Sequence, residues 1–86
     1  MDLRIVDIRR RVAREGSASP DDIDAIDDIL EAEGVSVELL ILRGQLIQLV
    51  ADGRADELEE AFACYQEALE LDPASAEAHE EIGHFL

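Results

Sequence analysis

A chain of 86 residues carrying a net charge of −15, from 22 acidic side chains against seven arginines and no lysine, makes one domain at most. So acidic a surface argues against nucleic acid and against anionic membranes as partners, because both call for a basic face. Two Phe, one Tyr and no Trp leave Leu, Ile, Val and Ala to fill the core, which suits helix packed on helix.

The charge is unevenly placed. Residues 1–14 hold five arginines against Asp2 and Asp7, about +3, while the rest of the chain carries about −18. Lys, Asn and Thr are all absent; an acidic, Lys-free surface suits a high-salt cytoplasm and equally a GC-rich genome. Cys64 is the single cysteine, so there is no internal disulfide framework. No apolar run approaches the ~18 residues of a membrane span, and the N-terminus is too charged for a signal peptide. The expected setting is the cytoplasm.

In chain order, residues 2–15 read as a first helix, with Met1, Ile5, Ile8 and Val12 as an apolar seam and the arginines mostly off it. A strand over LRIVDI is the alternative, with nothing nearby to pair with. Ser19-Pro20-Asp21-Asp22 signals a helix start, since Pro costs nothing in the first turn and aspartates suit the positive helix end. That second helix runs to about Glu33, with Ile23, Ile26, Ile29 and Leu30 as its core face, and Gly34 ends it.

The third stretch, Ser36 to Ala51, is apolar on nearly every side, the pattern of a helix buried between neighbours. Only Glu38, Arg43, Gly44, Gln45 and Gln48 interrupt it, and Glu38, Ile41, Gln45 and Gln48 share one stripe at spacings of three and four. Asp52-Gly53 closes it, within a loop expected to run from Val50 to Glu57. A fourth helix follows from about Asp56 to Leu71, turning Leu58, Ala61, Phe62, Tyr65, Ala68 and Leu69 inward. Asp72-Pro73 stops it, and Ser75 caps a fifth helix from Ala76 to Leu86.

Comparing the chain with itself reveals a repeat. Leu30–Gly44 aligns without gaps on Leu69–Gly83 at an offset of 39, with identities at Leu30/Leu69, Glu31/Glu70, Ser36/Ser75, Glu38/Glu77 and Gly44/Gly83. The breakers Gly34 and Pro73 coincide as well. A helix end, a breaker, a serine cap and a mid-helix glycine recurring together describe a repeated helix–turn–helix unit.

These residues resemble the tetratricopeptide repeat family. Ala61, Tyr65, Ala68 and Pro73 match its second-helix pattern, and Leu40, Gly44 and Ile47, like Ile82, Gly83 and Leu86, match its first-helix pattern, with Arg43 replacing an aliphatic. The repeat is longer than the family's usual ~34 residues. The resemblance implies an all-α, right-handed array of antiparallel helix-turn-helix units, about two and a half repeats in five helices. Within this single domain of residues 1–86, residues 1–35 form a degenerate repeat, 36–73 the best-matching one, and 74–86 a half repeat or capping helix. A helical bundle without a groove is the alternative. The small residues at Gly44 and Gly83 are expected to let neighbouring helices approach closely.

The same resemblance implies that first helices line a groove: Glu38, Ile41, Gln45, Gln48 and Leu49 on the central helix, and Glu77, Glu80 and His84 on the fifth. The function implied is a non-catalytic module binding a protein or peptide, its acidic surface favouring basic or neutral ligands. Family members that clamp a C-terminal carboxylate do so with Lys and Asn, and this chain has neither. Arg9, Arg10, Arg11 and Arg14 could contact an acidic partner or simply form a charged outer face. Ile82, Phe85 and Leu86 leave an apolar edge, so self-association is the competing function, with a monomer or weak homodimer expected. Glu80 and His84 are one turn apart, but two ligands do not make a metal site, and Cys64 reads as a packed thiol. No nucleophile–base grouping, phosphate loop or Cys/His cluster is visible. The expectation is no enzyme, no metal and no cofactor.

Overall fold

A computed structural model describes residues 3–51 and 55–83, which form five α-helices: α1 (Leu3–Glu15), α2 (Pro20–Glu33), α3 (Val37–Ala51), α4 (Ala55–Leu71) and α5 (Ala76–Gly83). Local chemistry sets their ends. Gly16 and Gly34 stop α1 and α2 at φ values of 70° and 92°, a left-handed turn that side chains rarely tolerate. Their amides reach back to Val12 O at 2.7 Å and Leu30 O at 2.9 Å. Pro20 opens α2, where Asp22 Oδ2 accepts the backbone N–H of Ser19 at 3.0 Å.

The repeat is visible in the caps. Ser36 Oγ accepts the N–H of Leu39 at 3.2 Å, and Ser75 Oγ accepts the N–H of Ala78, also at 3.2 Å. Before Ser75, the Asp72 amide donates to Ala68 O at 2.9 Å, just as Gly34 donates to Leu30 O in the preceding unit. Pro and Gly therefore end equivalent helices by different means, one by lacking a donor and the other by reversing φ.

Packing explains why α3 is apolar all round. Leu39, Leu42 and Leu46 face a cluster built with Ile5 and Ile8 of α1 and Ile26 and Ile29 of α2. Leu40, Ile41 and Ile47 face a second cluster with Ala61, Cys64, Tyr65 and Ala68 of α4 and Ala78 of α5. One helix thus serves two cores, and each aliphatic side chain it buries contributes about 1.5–3 kcal/mol. The closest helix pair is α3 with α4. A Cβ added at Gly44 would lie 2.5 Å from Tyr65 Cε1, so the bare backbone of α3 is the floor on which the ring rests.

Two expectations need correction. The long loop from Val50 to Glu57 is mostly helix, since α3 continues to Ala51 and α4 begins at Ala55. Residues 52–54 alone separate them, and the extra length of this unit lies largely in its helices, where Val50, Ala51 and Ala55 carry no helix breaker; the turn expected at Asp52-Gly53 lies outside the described residues. The second correction concerns Gly83, which does not repeat the role of Gly44. A Cβ there would meet nothing within 4 Å, because no described helix packs over that side of α5.

A candidate binding face along α3 and α5

The stripe singled out on α3 splits in two. Ile41 is buried among Leu40, Tyr65 and Ala78 rather than lining a groove, because α5 closes over it; this corrects its expected place. Leu49, 41% exposed, and Glu38 do face solvent. Gln45 and Gln48 are half-buried and already engaged. Gln45 Nε2 donates to Glu81 Oε1 at 3.2 Å, and Gln48 Oε1 accepts the hydroxyl of Tyr65. Burial, reinforced by the charge of Glu81, pushes the Tyr65 phenol well above its ordinary range. Glu77 and Glu80 of α5 are exposed, and His84 lies outside the described residues. A Gln45–Glu81 and Gln48–Tyr65 network thus holds α3, α4 and α5 in register, with Glu38, Glu77 and Glu80 exposed on α3 and α5.

The arginines of α1 divide likewise. Arg9 pairs with Glu38 at 3.3 Å, and Arg11 pairs with Asp22, whose side chain is only 8% exposed. Arg10 and Arg14 are exposed, and among the described residues neither forms an ion pair. Half of the basic cluster therefore fastens α1 to α2 and α3, and half points away.

Arg43 was legible only as a departure from the expected aliphatic, yet its guanidinium meets three side chains from two other helices. Its Nε donates to Asp27 Oδ1 at 2.6 Å, Nη2 to Glu60 Oε1 at 3.1 Å, and Nη1 to Cys64 Sγ at 3.0 Å. Burial works against its charge, but the bonds to Asp27, Cys64 and Glu60 outweigh that and raise its pKa further above neutrality. Three helices, α2, α3 and α4, meet at this one guanidinium. Cys64 is buried, and burial pushes its thiol upward while Arg43 pulls the other way, which does not describe an activated nucleophile. A hollow of about 340 Å³ lies beside it, lined by Arg43, Cys64, Glu60, Glu67 and Glu70, away from the α3–α5 face. Sequence reasoning missed Glu81, Asp27, Glu60 and Asp22. Two signals pointed to them: a buried tyrosine needs a hydroxyl partner, and an arginine inside an apolar helix needs carboxylates.

The serine caps, the breakers and the Gly44–Tyr65 contact all describe one repeating unit. Residues 55–86, spanning α4, Pro73 and α5, match the family model described as TPR repeat. Over these residues the chain is similar to the tetratricopeptide repeat family. No curated protein and no solved structure matches it. For a tetratricopeptide repeat, Tyr65 between Ala61 and Ala68 now has a physical account. The ring is fully buried, the two alanines keep α4 close to its neighbours, and Gly44 clears the space the ring occupies. Among the described residues no helix is long and apolar enough to cross a membrane, and no three His, Cys, Asp or Glu side chains converge on a metal-sized site.

Proposed function

We propose that this tetratricopeptide repeat chain is a non-catalytic, cytoplasmic adaptor that holds a basic or neutral peptide along α3 and α5. The peptide lies over Glu38, Leu49, Glu77 and Glu80, with Gln45 and Gln48 beneath it; His84, also expected to contact it, lies outside the described residues. One observation carries the reading: Leu49 stays exposed on a helix that two core clusters otherwise bury, while Glu77 and Glu80 of α5 are exposed and form no ion pair among the described residues. An apolar anchor on an acidic chain suits a segment with an aliphatic or aromatic residue between basic ones. We take residues 1–35 as an eroded repeat, 36–73 as the intact one and 74–86 as a half repeat or cap. The matching breakers at Gly34 and Pro73 support that division.

Panning a random peptide display library against the protein tests the proposal. The expected result is enrichment of basic peptides carrying a large apolar residue, with the enrichment lost on the Leu49→Asp variant. Enrichment that ignores Leu49→Asp, or no enrichment at all, overturns it. The competing reading, self-association at the C-terminal edge, is favoured by half-buried Ile82; Phe85 and Leu86, its other members, lie outside the described residues.

A further inference from the structure

The first and last described helices differ in sign. Helix α1 carries Arg4, Arg9, Arg10, Arg11 and Arg14 against Asp7 and Glu15, whereas α5 carries Glu77, Glu80 and Glu81 and no arginine. The inward stripe of α1 runs through Ile5, Ile8 and Val12, so Arg10 and Arg14 lie on the opposite stripe, one turn apart, with Leu3 and Asp7 behind them.

The outward face of α5 can be read from the repeat. The face that α3 turns toward α4 and α5 uses Leu40, Ile41 and Gly44; thirty-nine residues on, α5 has His79, Glu80 and Gly83 there. The aliphatics have become polar, and only the glycine is retained. Such a face no longer suits an apolar helix, yet Gly83 still allows close approach, and Glu77 and Glu80 stand beside it without an ion pair among the described residues. Helices α1 and α5 join different core clusters on opposite sides of α3, so one molecule cannot bring them together.

We propose that these ends bind each other between copies, the outer stripe of α1 in one molecule docking through Arg10 and Arg14 on Glu77, Glu80 and Gly83 of α5 in the next. The contact is heterologous, so it propagates into open chains rather than closing a symmetric dimer. It is held by charge more than by apolar area, so it is weak and salt-sensitive. Within one molecule the same chemistry already fastens α1, through Arg9–Glu38 and Arg11–Asp22. This reading shares Glu77 and Glu80 with the peptide-binding proposal but not Arg10 and Arg14, so the Arg10→Glu/Arg14→Glu variant tests it separately.

Sedimentation velocity over a concentration series tests it, at ~10 mM salt, where charges interact across ~30 Å, and at ~1 M, where they reach ~3 Å. Three proteins are compared: the parent, Arg10→Glu/Arg14→Glu, and Glu77→Arg/Glu80→Arg. The parent is expected to associate at low salt, with an apparent association constant at least about tenfold lower at high salt or in either variant alone. An equimolar mixture of the two variants is expected to associate again, because each then meets an end of opposite sign. Circular dichroism checks that both variants keep the parent's helix content. A parent that stays monomeric at low salt overturns the proposal, as does association that survives both reversals or strengthens with salt, or a mixture that stays monomeric.

Discussion

The two cores that share α3 are built by opposite means. On the α1–α2 side, branched and long aliphatics, Ile5, Ile8, Ile26 and Ile29 against Leu39, Leu42 and Leu46, fill the space between the helices. Arginine–carboxylate pairs then fasten α1 from outside. On the α4–α5 side, Gly44, Ala61, Ala68 and Ala78 bring the helices together around the single ring of Tyr65. An aliphatic core adjusts to changes in volume, whereas a glycine-and-ring contact has one geometry. The half with the tighter fit is also the half that the family model matches.

The sharpest way to break this contrast is to remove the ring. Tyr65→Ala is expected to cost about 3–5 kcal/mol, a large share of the stability of so small a domain, read by urea denaturation. A loss near that of an ordinary surface substitution would mean the ring is not the keystone. The same residue makes this half alkali-sensitive. Its phenol pKa is raised in the folded state, so its contribution is intact below pH about 10, the ordinary tyrosine value, and fades as pH rises beyond that. A Tyr65→Phe protein should show a shallower alkaline loss in a pH-resolved melt.

Next comes Gly44→Ala, expected to destabilise by about 1–3 kcal/mol because the new methyl would overlap Tyr65. In the Tyr65→Ala background the penalty should largely vanish, and a double-mutant cycle would show the coupling. Additive effects would contradict the contact. On the other side of α3, Arg11→Ala leaves Asp22 buried and without its arginine, with the Ser19 N–H still donating to it, an expected cost of about 1–3 kcal/mol. Hydrogen exchange should then speed up in α1 while α4 stays protected. Uniform acceleration would mean that the two halves melt together. Smallest is Gly83→Ala, which meets nothing and should stabilise by up to about 1 kcal/mol through helix propensity alone. Glycines thirty-nine apart would thus respond with opposite signs in thermal melts.

Much of the fold could be read along the chain, because local signals and the global arrangement agree. Pro20, Gly34, Ser36, Pro73 and Ser75 mark helix ends that nearest-neighbour chemistry dictates. The unbroken apolarity of α3 already implied neighbours on both sides. The candidate face was less legible. Glu38, Leu49, Glu77 and Glu80 are exposed as periodicity suggested, but Ile41 is covered by α5, and Gln45 and Gln48 are tied to Glu81 and Tyr65. A helical wheel assigns a direction to each side chain and is silent about which neighbour stands there.

By itself the sequence determined the five helices, their punctuation, the repeat and the family resemblance, all of which rest on interactions within a few residues or on a pattern copied along the chain. The tertiary structure alone decided that Gly44 is filled by a ring while Gly83 is bare, and that Arg43 gathers Asp27, Glu60 and Cys64 from two other helices. The reason is physical: a glycine's role depends on what stands opposite it, and an arginine's on which carboxylates come within reach. Distances between helices fix both.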